Sequence, residues 1–260
     1  MGIPTADGRV LEGLYYPSRI QDAPAVVLMH WANGSLDDWR AVAPWLQNRL
    51  DELIDPLTGG GPLYTDSSWF PPMPEEVSFA VLVFNFGDFG NSPYGGSRQT
   101  WVDDAVSALN FASSLEGIDP HRLSTLGASI GADGAVDSCY LFNDAGEKGT
   151  CVGALSLSPG NYLTDEFAYP EAADFIEMAG YPVWCLAAEG DGSSPELCLA
   201  LDGEHAQAFI FEGRDHGMNL LTDDQTLFEP ALGMDYNPME MIQEFLETAY
   251  GIPLNEFTVP

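Results

Sequence analysis

Basic side chains are nearly missing from this sequence: eight Lys and Arg, with Lys148 the single lysine, stand against 40 Asp and Glu, for a formal net charge of −32. Such a field repels polyanions, which argues against nucleic acid and anionic membranes as partners. Long apolar runs are missing too. Nothing approaches the roughly 18 apolar residues of a membrane-spanning helix, so no span is expected. The opening Met1-Gly-Ile-Pro-Thr-Ala6 has neither a basic nor an apolar leader region, and a mature exported chain would begin the same way. Cysteine is scarce: Cys139, Cys151, Cys185 and Cys198 form no C-x-x-C pair and are not interleaved with the four histidines at zinc spacing. No metal site is expected from them, nor does the scattered acidity resemble an EF-hand loop. Fixed-period repeats and low-complexity linkers are also lacking.

The acidic excess carries its own expectation. Self-repulsion among the charges weakens the compact state, and salt screens it within a Debye length that shrinks from about 10 Å at 0.1 M to about 3 Å at 1 M. The melting temperature should therefore rise between dilute buffer and molar NaCl; a flat or falling curve contradicts this.

What is present is enough for one sizeable core: 260 residues, 45% hydrophobic and 12% aromatic. Short continuous apolar runs lie at 25–29, 79–84, 154–157, 183–187 and 208–211, with a weaker one at 122–126. Runs of this kind suit parallel strands covered on both faces. Residues 9–16 read as an edge strand or hairpin. Helical stretches alternate with the runs. One is predicted over 39–50, and another carries Val102, Ala105, Val106 and Leu109 on one face. A last helix is capped by Asn237, starts at Pro238, buries Ile242, Phe245, Leu246 and Ala249, and stops at Gly251. Alternation of this type predicts a single α/β domain over 1–260, a mostly parallel sheet with helices on both faces. Residues 55–77 form an irregular Gly- and Pro-rich insertion. The preceding helix should end at the sheet edge opposite the ligand-binding one, so the insertion is read as a structural wrap rather than a substrate contact.

Gly127-Ala-Ser129-Ile-Gly131 follows a strand and opens a small-residue helix. A nucleophilic hydroxyl must stand clear of the sheet on a turn too tight for side chains beside it, which is the reason for flanking glycines. Ser129 is thus the candidate nucleophile. It needs a base. His216, after the run at 208–211, is at the right edge of the sheet, whereas His121 and His205 precede their strands and His30 reads as a loop-shaping residue. The acid that orients the imidazole is best supplied by Asp191, after the run at 183–187. Glu189 is the alternative, and Asp215 adjoins the histidine too closely. An oxyanion hole requires two converging amides, here those of Ile130 and Trp31. The helix after Ser129 should end near Cys139, at the edge where the next strand begins just past Cys151. A disulfide is therefore expected there, with Cys185 and Cys198 as a second pair. The compartment reading leans to an exported mature form, with a cytosolic chain of four buried thiols as the alternative.

With these residues placed, the sequence resembles the α/β-hydrolase superfamily, nearest to its dienelactone-hydrolase-like and esterase branches. The resemblance rests on Leu28-Met-His30, Phe86-Gly-Asp-Phe-Gly-Asn-Ser92, Gly127 to Gly131, Asp191 and His216-Gly217. It implies a Ser129, Asp191 and His216 triad acting on esters without a cofactor. Two positions depart from the pattern: dienelactone hydrolases proper use cysteine where Ser129 stands, and Trp31 replaces the usual glycine after the oxyanion histidine. The stretch after 154–157 is too short for a large cap, so the site should be open, bounded by Trp31, Phe89, Tyr94 and Tyr162, and suited to a small or extended ester. A peptidase or amidase with the same triad, and a catalytically silent binding protein, are the competing readings. The sequence gives no reading of oligomeric state or of individual substrate-binding residues.

Overall fold

Strand β3 (Ala23–Met29) is buried along its whole length because its two faces serve two separate cores. Val26 and Leu28 point into one, with Trp39, Trp45 and Phe245. Ala25, Val27 and Met29 point into the other, with Val102, Leu109 and Val136. Strands β4 (Ala80–Phe84), β5 (Ile118–Ala128), β6 (Cys151–Leu157), β7 (Val183–Ala188) and β8 (Ala206–Phe211) run parallel to β3. Antiparallel strands close both margins: the hairpin of β1 (Gly2–Pro4) and β2 (Val10–Tyr16) on one side, β9 (Leu227–Glu229) on the other. The computed structural model describes residues 1–50, 63–146, 148–229 and 237–254. Among these the sheet has nine strands in the order β1-β2-β4-β3-β5-β6-β7-β8-β9.

Helix α1 (Val42–Leu46) and helix α6 (Pro238–Tyr250) cover the first face. The second face is covered by α2 (Arg98–Ala112), α3 (Ile130–Ala145), α4 (Tyr169–Met178) and α5 (Ser194–Leu199). Their limits follow from local chemistry. Ser97 caps α2 through the Thr100 amide, Asn237 caps α6 through the Met239 amide, and Gly251 ends α6 in the left-handed region at φ 62°. The chain reverses direction across the sheet between β3 and β5, since β4 lies to one side of β3 and β5 to the other. Open α/β sheets place their ligand crevice beyond the carboxyl ends of strands at such a point.

Some expectations hold and others need correction. The helix predicted over 39–50 is only the five-residue α1, preceded by a 3-10 turn at Leu36–Trp39. Pro44 has no N–H to give, so a helix tolerates it only in the first turn, and Asn48 at φ 56° leaves helical geometry. The hairpin is real, but the edge strand is β1, because β2 pairs on both sides. The insertion wraps α1 as expected: Trp45 Nε1 donates to the Pro71 carbonyl (2.6 Å) and Asn48 Nδ2 to that of Pro74 (2.7 Å). Its turn at Leu63–Thr65, however, also abuts the turns Leu36–Trp39 and Gly217–Leu220 at the ligand edge. Buried Tyr64 and Phe70 draw the segment along the apolar face of the sheet and back to that edge. Residues 55–62 of the insertion lie outside the described residues.

Both disulfides form, although α3 does not end near Cys139 as expected but runs on to Ala145. Cys139 of α3 bonds Cys151 at the start of β6, with Cα atoms 5.4 Å apart, and Cys185 of β7 bonds Cys198 of α5, at 5.2 Å. No described helix is long and apolar enough to cross a membrane.

Candidate active site

Ser129 sits between the end of β5 and the start of α3 at φ 54°, ψ −114°, a conformation that a residue with a β-carbon rarely adopts. The turn is held by close backbone packing. A β-carbon on Gly127 would lie 1.9 Å from the Gly131 carbonyl oxygen, and one on Gly131 would lie 2.4 Å from that of Met29. Glycine is therefore required at both positions by contact with backbone that cannot move aside. The Ser129 amide donates to the Leu157 carbonyl at 2.8 Å, fastening the turn to β6.

His216 follows β8, and its Nε2 stands 2.9 Å from Ser129 Oγ. Its Nδ1 stands 2.8 Å from Asp191 Oδ1, the carboxylate placed just past β7. With Nδ1–H donating to the carboxylate, Nε2 is left to accept the serine proton. The ring side chain is 31% exposed and the Asp191 side chain 10%, so the imidazole meets solvent while its carboxylate partner is sheltered. The sequence rivals lie elsewhere. Glu189 accepts from the Gly213 amide, Asp215 from Gln225 Nε2, and His121 pairs with Thr150 at the opposite edge of the sheet. His205 precedes β8, held through its amide by Glu177.

Ile130 opens α3, so its amide is among the helix donors with no intrahelical acceptor. Trp31 follows β3, across the reversal point of the sheet from Ile130. Neither amide donates to a protein acceptor among the described residues. The Trp31 indole donates to Asp38 Oδ2 (3.0 Å) and packs over Gly217, where a β-carbon would come within 2.9 Å of it. His30 has a structural part. Its Nδ1–H donates to the Trp31 carbonyl at 2.7 Å and its Nε2 accepts from the Phe86 amide at 3.1 Å. Burial pushes its pKa down to about 4, so it is neutral and locks one loop to the next.

The loop Phe86 to Ser92 explains its own motif. Asp104, ion-paired to Arg9 at 2.7 Å, accepts from the Gly87 amide, and Glu12 accepts from the amide and side chain of Asn91. Phe89 stacks edge-on to His30 with ring centres 4.8 Å apart, and Tyr94 is 91% exposed. Residues 158–168, where a cap would be inserted, contain no helix or strand. Two residues that the motifs do not single out complete the surroundings. Ser158 Oγ accepts from the Gly217 amide at 2.9 Å, beside His216. Asp133, one turn beyond Ser129, grips the loop that carries Gly160 and Tyr162. The signal for Asp133 was an acidic residue facing inward among Ala132, Ala135 and Val136.

No protein-family model matches the chain. The uncharacterized protein YfhR of Escherichia coli K12 is 26% identical over 167 residues, 55% of this chain and 57% of that protein. YfhR of Salmonella typhimurium is 26% identical over 172 residues, 57% of each. The chain thus matches little more than half the length of these curated relatives. Among solved structures, the α/β hydrolase GrgF from Penicillium sp. sh18 matches at TM-score 0.65 and 10% identity over 97% of this chain and 98% of that one. A hyperthermophilic esterase from Pyrobaculum calidifontis matches at TM-score 0.61 and 18% identity, covering 95% and 82%. The thermophilic carboxylesterase EstE1, cloned from a metagenomic library, matches at 0.55 and 18%, covering 83% and 79%. The likeness reaches the fold and not one branch of it: the chain has the α/β-hydrolase fold.

Proposed function

We propose that this protein is a serine hydrolase that cleaves carboxylic esters through an acyl-enzyme. The observation that carries the reading is the chain of hydrogen bonds from Ser129 through His216 to Asp191, 2.9 and 2.8 Å, standing on a strained turn at the reversal point of the sheet. His216 Nε2 takes the proton of Ser129 as Oγ attacks the ester carbonyl. Asp191 keeps the imidazole in the receptive tautomer and balances the imidazolium that forms. Negative charge collects on the carbonyl oxygen, where the Ile130 and Trp31 amides would receive it. The imidazolium then protonates the leaving alcohol, and a water activated by the same base releases the acid from Ser129. No step calls for a cofactor. Esterases among the structural neighbours support the substrate class. The two disulfides support an oxidising compartment.

The test is a chain-length series of nitrophenyl esters beside a peptide-amide panel, with fluorophosphonate labelling and mass mapping of the adduct. Ester turnover with the adduct on Ser129 is the expected result. Turnover of amides alone would assign a peptidase, an adduct on another serine would overturn the nucleophile, and neither activity nor adduct would leave a silent binding protein.

A further inference from the structure

The loop after β6 is held in an unfavourable shape. Ser158 and Asn161, neither a glycine, sit in the left-handed region at φ 62° and 55°. Such residues persist only where their surroundings over-determine them. Here the surroundings are one carboxylate. Asp133 Oδ1 accepts from the Gly160 amide at 3.0 Å, Oδ2 accepts from the Tyr162 amide, and the Asn161 amide also faces the group. The loop in turn reaches the other site elements. Ser158 Oγ accepts from the Gly217 amide next to His216. The Tyr162 ring folds back over Gly160, and its phenol meets Ser194, whose amide donates to the Asp191 carbonyl at 3.0 Å.

Resting on the serine-hydrolase reading above, we propose that Asp133 is a positioning residue: its carboxylate clamps loop 158–162 to the nucleophile helix, and through Ser158 and Gly217 the loop fixes His216 relative to Ser129. Because Asp133 lies one turn along the helix that Ser129 caps, base and nucleophile are referred to one rigid element. A displacement of the imidazole of even 1 Å is enough to cost rate while leaving substrate binding alone.

The clamp is also sensitive to pH. Burial pushes the Asp133 carboxyl up to about 6 against the three amides that favour its ionised form. The groups facing it are Asp137 on α3, which burial and Asp133 hold well above the carboxylate range, Tyr162 in the loop, Tyr169 of α4 and Arg98 of α2. Because the folded pKa lies above the ordinary 3.8, this group favours the fold below about pH 4, and that contribution is lost as pH rises through about 6. Melting temperature should therefore fall from pH 4.5 to 7 by more in the wild type than in Asp133→Asn.

The direct test compares the wild type, Asp133→Asn, Ser158→Gly and Asp137→Asn. Ser158→Gly relieves the backbone strain but removes the hydroxyl that takes the Gly217 amide. Two readouts are needed: kcat and KM on a short nitrophenyl ester, and the downfield Nδ1–H proton resonance of His216, identified by its loss in His216→Ala. Asp133→Asn and Ser158→Gly should each lower kcat by about ten-fold or more with KM little changed, and should shift or broaden the resonance. Asp137→Asn should leave both unchanged. An unshifted resonance with unchanged kcat in Asp133→Asn, whatever its melting temperature, overturns the proposal. If that variant does not fold, Ser158→Gly decides by the same two signals. If the wild type neither turns over esters nor takes the label at Ser129, the hydrolase reading fails, and the resonance still tests the clamp by itself.

Discussion

Replacing Ser129 by alanine is expected to lower ester turnover by about 10⁵-fold or more, and His216→Ala to do nearly as much. The double variant should be no worse than either, because the base has nothing to activate once the hydroxyl is gone. Asp191→Asn should lose about 10⁴-fold, since the imidazole then rests in the wrong tautomer. Residual catalysis of about 10³ over the uncatalysed rate should survive in all of them, sustained by the two amides and by binding. Steady-state turnover after removal of any wild-type contaminant with fluorophosphonate measures these losses. Retained activity in Ser129→Ala would sink the assignment. The same position offers a second, structural reading. At φ 54° a serine or alanine is strained, whereas glycine is not. Ser129→Gly should thus be as inactive as Ser129→Ala yet more stable by about 1 kcal/mol, roughly 2–4 °C in melting temperature. Equal melting of the two variants would mean that the turn stores no strain.

The second large effect concerns the disulfides. Cys139–Cys151 joins residues 12 apart and Cys185–Cys198 residues 13 apart. Closing loops of this size restricts the unfolded chain and contributes about 3 kcal/mol each. Replacing both cysteines of one pair by alanine should lower the melting temperature by about 6–12 °C in a chain this long. Losing both pairs removes about 6 kcal/mol, comparable to the entire stability of many domains, and should leave the protein largely unfolded at 37 °C. The two pairs should differ in function. The first ties the middle of α3 to the start of β6, where Asn143 already bonds both backbone groups of Cys151 at 2.8 Å. Its loss should cost stability only. The second closes the loop that carries Asp191, so its loss should also lower kcat. Thermal unfolding and turnover of the two paired variants separate these effects, and unchanged melting in both would refute the stapling role.

Much of the fold was legible in the sequence because strands and helices advertise themselves locally. The apolar runs became β3 to β8 since a strand covered on both faces has no polar side to show, and α6 keeps the limits set by Asn237 and Gly251. Where the local signal failed, a competing local rule or a long-range contact intervened. The hydrophobic pattern runs a helix from 39 to 50, but Pro44 confined its start to within one turn of itself and Asn48 at φ 56° ended it. Strand β9 has three residues, too few for any periodicity, and exists because β8 offers it an edge.

The sequence by itself determined the turn at Ser129, because the two glycines answer to steric contacts that the G-x-S-x-G spacing encodes, and it narrowed the histidines to His216 by their order relative to strands. It favoured Asp191 as the carboxylate that His216 meets but left Glu189 open, since both follow the same strand at one sheet edge. Nor did it reveal that Asp133 and Ser158 bond the loop that lies beside His216. Those facts depend on contacts between residues 87 apart for Ser129 and His216, 25 apart for His216 and Asp191, and 59 apart for Ser158 and Gly217. Pairings at such separations are set by the register of β5 to β8 in the sheet, which places each strand end within hydrogen-bonding reach of the next, and register is a property of the packed sheet rather than of any segment in it.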